Sequence, residues 1–303
     1  MLGFCVLAPA GDAIAKLLGN SIPLAQVVLI RFALQAFILV PLILVTGRTW
    51  RTSQRVFLLT LLRTVLHIFG IGMMFTALRF LPLADAVAIA FVMPFFMLIL
   101  GKYVLHEEVG GRRLIACSVG FIGTLLVIQP SFSTVGWPAL LPVGVALNFS
   151  LFMLVTRQIA KDTDPIGLQA VSGMMAVVMM LPFLLVGEML DLPFLKSTAP
   201  NLGQWSLLIA IGLIGTFAHL LMTWSLRFAP AATLAPMQYL EIPFATVLGF
   251  VIFGDLPNHL ASVGILITIA SGLYIILRER AIARGLASQA PRSQMSQTSL
   301  AES

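Results

Sequence analysis

Ala77-Leu78-Arg79-Phe80-Leu81-Pro82-Leu83-Ala84 and Ser225-Leu226-Arg227-Phe228-Ala229-Pro230-Ala231-Ala232 are two versions of one junction, with Arg227 lying 148 positions after Arg79 in a chain of 303 residues. Each copy carries Arg-Phe-x-Pro between two apolar runs. Proline in a first helical turn sacrifices no hydrogen bond, so each copy reads as the end of one helix and the start of the next. The correspondence continues beyond the junctions. Pro94-Phe95 aligns with Pro243-Phe244 after a one-residue slip, and Glu107 aligns with Asp255 at the original spacing. The spacing is close to half the chain, so a duplication is expected.

Composition says what the duplicated unit is made of. Hydrophobic residues make up 59% of the chain and charged residues 10%, with a mean hydropathy of +1.02. A water-facing domain carries roughly a quarter charged residues, so most of this surface must meet lipid. Backbone polar groups in lipid have to be satisfied internally, which leaves helices or a closed barrel. The apolar runs reach helical span length without period-two alternation, and that selects helices. Spans are expected at about 2–18, 23–46, 57–78, 82–104, 113–129, 137–157, 165–187, 204–226, 230–253 and 258–277, separated by breakers such as Gly110-Gly111, Asp164-Pro165 and Leu256-Pro257. Five spans per half is an odd number, so the second half must enter the membrane upside down. The expected fold is therefore an all-α polytopic membrane protein of ten transmembrane helices, built as two inverted five-helix repeats over 1–130 and 137–278. Residues 279–303 are rich in Ser, Gln, Ala and Arg and read as a disordered cytoplasmic tail. Inverted repeats are a common build for secondary transporters, with the binding site at mid-depth between the halves.

The N-terminal apolar run is not preceded by a basic residue and many spans follow it, which argues against a signal peptide. It is short for a span and leaves open a start upstream of Met1. Cys5 and Cys117 fall in separate apolar runs and read as small buried hydrophobes. The formal charge is +6. Its basic residues set membrane orientation rather than bind nucleic acid. With the N-terminus inside, Arg48, Arg51, Arg55, Lys102, Arg112, Arg113, Arg157, Lys161, Arg227, Arg278, Arg280, Arg284 and Arg292 share the cytoplasmic side, against Arg79 and Lys196 on the other. This places both termini in the cytoplasm.

The segment Ala77–Ala86 leading to Pro94-Phe95, then Leu105-His106-Glu107-Glu108 before Gly120-Phe121-Ile122-Gly123, together with its second copy at Ala229–Thr233, Pro243 and Phe253-Gly254-Asp255, resembles the EamA-type, ten-helix branch of the drug/metabolite transporter superfamily. Within it the chain is similar to bacterial cofactor-uptake carriers for S-adenosylmethionine or riboflavin. The shared features are Asp12-x-x-x-Lys16, Arg31-Phe32 and Ala235-Pro236-x-x-Tyr239-Leu240-Glu241. The resemblance implies a central cavity between two halves in a bacterial inner membrane, opened alternately to each side. No arginine stands in the second half at the place of Arg31, so the site should be asymmetric.

An ionisable side chain within the hydrocarbon costs roughly 2.5–3.5 kcal/mol on insertion scales and needs a partner or a wet cavity. The candidates are Asp12, Lys16, Arg31, Arg63, His67, His219 and Glu241. Asp12 and Lys16 are one turn apart and can pair, either structurally or at the cavity mouth. Glu241, near Gln238 and beside Pro243, is the foremost candidate for holding a cationic or hydrogen-bonding substrate or a coupling proton. It could equally be a structural partner for Arg31 or Arg63. Arg63 is expected to snorkel toward the headgroups. Phe75, Phe91, Trp224 and Tyr239 could stack on a flat ring. Pro94 and Pro243 should kink the fourth and ninth spans.

Cofactors, metals and catalysis find no support. His106-Glu107-Glu108 lacks the second His of a zinc motif, and neither a Gly-x-Ser-x-Gly elbow nor a nucleotide loop is found. The reading is a secondary active transporter of a small organic metabolite by alternating access, with uptake of riboflavin or S-adenosylmethionine foremost. An exporter of amino acids is the alternative, and an intramembrane enzyme a distant one. The partners are the small-molecule substrate and the lipid bilayer, with a coupling proton and a homodimer left open.

Overall fold

The computed structural model describes residues 1–47, 53–104, 111–190, 192, 195, 197–229, 234–274, 277, 278 and 281, without the side chains of 101, 112, 113, 235 and 236. It is 86% helical, with no strand among the described residues. Among the described residues ten helices follow in order. They are α1 Leu2–Leu18, α2 Leu24–Thr46, α3 Gln54–Ala77, α4 Leu83–Val104, α5 Gly111–Val135, α6 Trp137–Ile159, α7 Pro165–Met189, α8 Leu202–Phe228, α9 Ala235–Phe253 and α10 His259–Tyr274. Seven of them are long and apolar enough to cross a membrane. Large apolar side chains such as Phe37, Val45, Phe69, Val178, Phe183 and Val251 point outward and are mostly exposed, as a lipid-facing surface requires.

Local chemistry explains the boundaries. Pro23, Pro82 and Pro165 stand at helix starts, Asp164 accepts a hydrogen bond from the Gly167 N–H, and Asn201 with Gln204 closes a reciprocal capping box at the start of α8. Gly47 and Gly254 end α2 and α9 in the left-handed conformation.

Two helices are interrupted at corresponding places. In α4 the helical hydrogen bonding lapses at Phe91–Val92 and resumes at Met93. Pro94 carries no N–H for the Ala90 carbonyl, so the restart falls where nothing is lost. In α9 a 3-10 turn at Ala235–Leu240 gives way to α-helix at Glu241–Leu248 and then to a π-helical end at Gly249–Phe253. Here Pro243 cannot bond the Tyr239 carbonyl.

Packing exchanges the two halves of the sequence. The broadest contacts are α2 on α7, α3 on α6 and α1 on α8. The first helix of each half therefore packs on the third helix of the other. At the periphery α5 meets α10 through small residues. A Cβ on Gly123 would meet the Gly264 carbonyl at 2.7 Å, and the Thr268 hydroxyl donates to the Gly264 carbonyl at 2.9 Å.

Several expectations are corrected. α5 runs through Pro130 to Val135 instead of ending near 129. The Thr134 hydroxyl donates to the Pro130 carbonyl and the Ser133 hydroxyl to the Gln129 carbonyl, supporting the backbone around the proline. Arg63 does not snorkel. It is wholly buried, donating to the Thr156 hydroxyl at 2.9 Å and the Ser172 hydroxyl at 2.7 Å, with its guanidinium 4.6 Å from the Phe152 ring centroid. The expected tail, apart from residue 281, and the His106-Glu107-Glu108 segment lie outside the described residues.

Candidate functional site

Four helices wall a central cavity. Each contributes one stripe at helical spacing. The stripes are Phe4, Leu7, Ala8, Gly11 and Asp12 from α1, Leu66, His67, Gly70, Ile71, Met74 and Phe75 from α3, Val145, Ala146, Asn148, Phe149 and Phe152 from α6, and Ile211, Ile214, Gly215, Ala218 and His219 from α8. The interrupted helices close it with Val87, Ala90, Phe91 and Met93 from α4 and Gln238 and Glu241 from α9, while α2 adds Arg31.

The lining is mainly apolar and aromatic, with a few polar groups converging, as expected of a small-molecule site. Asp12, Arg31, His67, His219, Gln238 and Glu241 all face this space. Several of their polar atoms have no protein partner: Arg31 Nη1, Gln238 Oε1, Glu241 Oε1 and both histidine Nδ1 atoms. A buried polar atom without a partner costs free energy, so these atoms are held ready for water or a ligand. Asp12 and Arg31 lie close enough for their charges to interact. Arg31 reaches across to α8, where Gly215 leaves room for it. A Cβ on Gly215 would stand 2.7 Å from Arg31 Nη2 and 2.8 Å from its Cζ. His67 and His219 meet with Nε2 atoms 3.2 Å apart and ring centroids 4.1 Å apart.

A second layer positions this set. Gln169 donates to the His219 carbonyl and the Thr223 hydroxyl, both at 2.9 Å, and its own carbonyl receives Gln35 at 2.6 Å. Asn148 donates to the Leu66 carbonyl at 2.7 Å.

Three candidates stand elsewhere. Lys16 does not pair with Asp12. Its ammonium sits 2.9 Å from Asp255 and 3.0 Å from the Leu81 carbonyl, above the Phe253 ring at 4.9 Å. On the α1 stripe it lies one turn beyond Asp12, past the end of the cavity. Trp224 is 40% exposed and faces outward. It is five residues past His219, about 140° around the helix, so both cannot face inward. Tyr239 is buried against Gly272 of α10, behind Phe91, whose ring centroid lies 5.2 Å from its own.

Sequence reasoning missed Asn148, Phe4, Phe149, Phe152 and Gly215. Asn148 was detectable as a mid-span amide in α6. The phenylalanines were hidden among 21 of their kind.

Comparison with known proteins agrees in scale with this architecture. A solved crystal structure superposes with a TM-score of 0.69 at 16% identity, covering 92% of this chain and 96% of that one, which shows a shared fold. The S-adenosylmethionine uptake transporter of Rickettsia bellii is 25% identical over 91% of this chain and 91% of its own length. The riboflavin transporter of Brucella anthropi is 26% identical over 88% and 92%. That of Vibrio cholerae is 28% identical over 84% and 83%. The family model for EamA-like transporters matches residues 1–129 and again 136–278. With nearly all of its length matched in this way, and its helices walling a cavity of unpartnered polar groups, the chain is a multi-pass membrane protein that belongs to the EamA-like transporter family.

Proposed function

We propose that this chain carries S-adenosylmethionine, or a compound of the same zwitterionic and aromatic chemistry, into the bacterial cytoplasm by alternating access. The observation that carries this reading is the charge inventory of the cavity. Two carboxylates, Asp12 and Glu241, and one guanidinium, Arg31, face one space walled by Phe4, Phe75, Phe91, Phe149 and Phe152. S-adenosylmethionine bears an ammonium, a sulfonium and a carboxylate next to a flat ring system. Its two positive groups and one negative group mirror the two negative groups and one positive group of the wall. Sulfonium and ammonium groups are also attracted to aromatic faces, and the ring finds stacking surfaces. Riboflavin carries no charge that would call for this set, although relatives with that name share a similar identity.

The moving parts in this reading are two inverted halves, 1–130 and 137–278, in the inner membrane with both termini cytoplasmic. The exchange symmetry of the helix contacts and the two matched family segments support the division. The Lys and Arg asymmetry between the loops supports the orientation.

The test is growth of a host that requires an external cofactor. Expression in a strain lacking S-adenosylmethionine synthesis should restore growth on the external compound, and Glu241→Gln should lower that rescue. Rescue of a riboflavin-requiring host alone would replace the substrate. Resistance to toxic amino-acid analogues without either rescue would convert the reading to export.

A further inference from the structure

We propose that His67 and His219 together form a one-proton binding site that couples transport to the proton gradient, a role that rests on the transporter reading of the same cavity. The two residues come from α3 and α8, the third helix of each proposed half, and meet where those halves face each other. Their Nε2 atoms lie 3.2 Å apart. Two imidazoles can bond at that distance only if one Nε2 carries hydrogen and the other is bare. The rings are then opposite tautomers: the donor ring has a bare Nδ1 and the acceptor ring an Nδ1–H.

Both Nδ1 atoms are buried and without a partner, and both residues line the cavity. A structural histidine pair would normally hand its outer nitrogens to backbone carbonyls. On α3 itself Thr60, Thr64 and Thr76 all bond the carbonyl one turn back, while His67 does not. The bare Nδ1 of the donor ring is thus an unfilled acceptor beside a cavity that water can enter. Hydronium there transfers its proton to that nitrogen and leaves as water. The new N–H forms while the Nε2–H···Nε2 bond is kept, now charge-assisted and roughly twice as strong as its neutral form. A second proton would have to land on the accepting Nε2. That would break the bond and set two cations face to face, so the capacity of the pair is one.

Among the described residues, Asp12 of α1, Arg31 of α2, Arg63 of α3 and Glu241 of α9 are the charged groups around it, while α7 presents the neutral Gln169 and Ser172. From α6 come Asn148, Phe149 and Phe152, with Arg157 at the end of that helix bonded to the Leu226 carbonyl at 2.5 Å. Fixed carboxylates and guanidiniums surround the pair, so a charged substrate entering the cavity changes the field on the proton. Because the pair bridges α3 and α8, proton occupancy changes how firmly the two halves hold together. These two properties are what coupling requires.

Two measurements on the full chain test this. In lipid nanodiscs, ¹⁵N-histidine NMR with His106 and His259 replaced should show opposite tautomers at high pH. As pH falls, one proton should be taken up with a single midpoint sensed by both rings. Independent titration of the two rings, or no uptake between about pH 5 and 8, the range where imidazoles respond, overturns the proposal. In proteoliposomes holding pyranine, S-adenosylmethionine and riboflavin are each run for substrate counterflow and for proton movement. A proton-to-substrate ratio near one in the natural protein, falling to zero in His67→Gln/His219→Gln whatever its residual rate, supports coupling through the pair. Counterflow without proton movement in the natural protein, or an unchanged ratio in the variant, overturns it while leaving the substrate reading intact. Absence of counterflow with both compounds rejects the substrate reading alone, and the NMR titration then decides the proton site.

Discussion

Replacing Gly215 with alanine separates binding from folding more sharply than any charge deletion. In the structure a Cβ at this position would lie 2.7 Å from Arg31 Nη2 and 2.8 Å from Arg31 Cζ. Ordinary contact between such atoms begins near 3.5 Å, so the guanidinium must withdraw by roughly 1 Å. It is the far end of a flexible side chain, so the fold absorbs the shift. Gly215 lies in the interior of α8, where alanine is favoured over glycine by about 1 kcal/mol. Stability should therefore hold or rise. Binding should not. A charge-assisted hydrogen bond from Arg31 to a substrate carboxylate, stretched from about 2.9 Å by another ångström, is no longer a hydrogen bond. Such bonds are worth about 1.5–3 kcal/mol, which converts to roughly 10- to 150-fold in affinity. Initial uptake rates in proteoliposomes should show KM for S-adenosylmethionine raised by at least about tenfold, while the thermal midpoint in nanodiscs stays level or climbs. A KM within twofold of the natural protein, accompanied by a lower midpoint, would refute the reasoning. Gly215 would then be a packing residue and Arg31 a bystander.

Glu241→Gln keeps the shape of the site and removes its charge, so KM should rise about tenfold or more with little change in the thermal midpoint; retained affinity would take Glu241 out of substrate contact. Lys16→Met and Asp255→Asn each break a half-exposed ion pair worth about 1 kcal/mol or less. In a background lacking Cys5 and Cys117, each should speed labelling of a cysteine at Gly11 by an impermeant reagent a few-fold, and the double variant should add nothing beyond the singles. Gly264→Leu forces a side chain into the Gly123 backbone at the α5–α10 contact and should destabilise the protein by about 1–3 kcal/mol, read as a lower midpoint in size-exclusion thermal assays. Arg63→Met, which fills the same volume, should leave KM within about threefold and not lower the midpoint, because an apolar replacement relieves the burial of a charge.

The span positions were legible because lipid imposes a simple rule on composition and proline marks the joints. Pro23, Pro82 and Pro165 stand at or next to helix starts, as their chemistry demands. What proved illegible depends on rotation and partners. Asp12 and Lys16 share a stripe, and a local pairing rule joins them. The structure instead joins Lys16 to Asp255, 239 positions away, because the α1 stripe leaves the cavity between the two residues. Trp224 qualifies by residue type as a stacking surface, yet the helical turn sends it away from the face that carries His219 into the cavity. The span expected at 113–129 stops short of Pro130, yet the helix runs through it to Val135, with the Ser133 and Thr134 hydroxyls donating to the Gln129 and Pro130 carbonyls.

The two buried arginines show why the site is asymmetric within a duplicated frame. If the halves are exchanged, the interface of α2 with α8 becomes that of α7 with α3. A guanidinium lies at both. In the first it is carried by the second helix of its half, Arg31 on α2, and rests against Gly215 of α8. In the other it is carried by the third helix, Arg63 on α3, and reaches Ser172 of α7. The duplicated architecture thus keeps a cation at each equivalent seam, yet delivers it from opposite sides. Consequences follow for function. Arg63 donates through Nε to Thr156 and through Nη1 to Ser172, keeps Nη2 without a protein partner, and lays its guanidinium over the Phe152 ring, outside the cavity lining. Arg31 keeps Nη1 unpartnered in the cavity near Asp12. Arg63 is thus enclosed among α3, α6 and α7 outside the cavity, while Arg31 presents Nη1 to it, so positive charge reaches the pocket from one side.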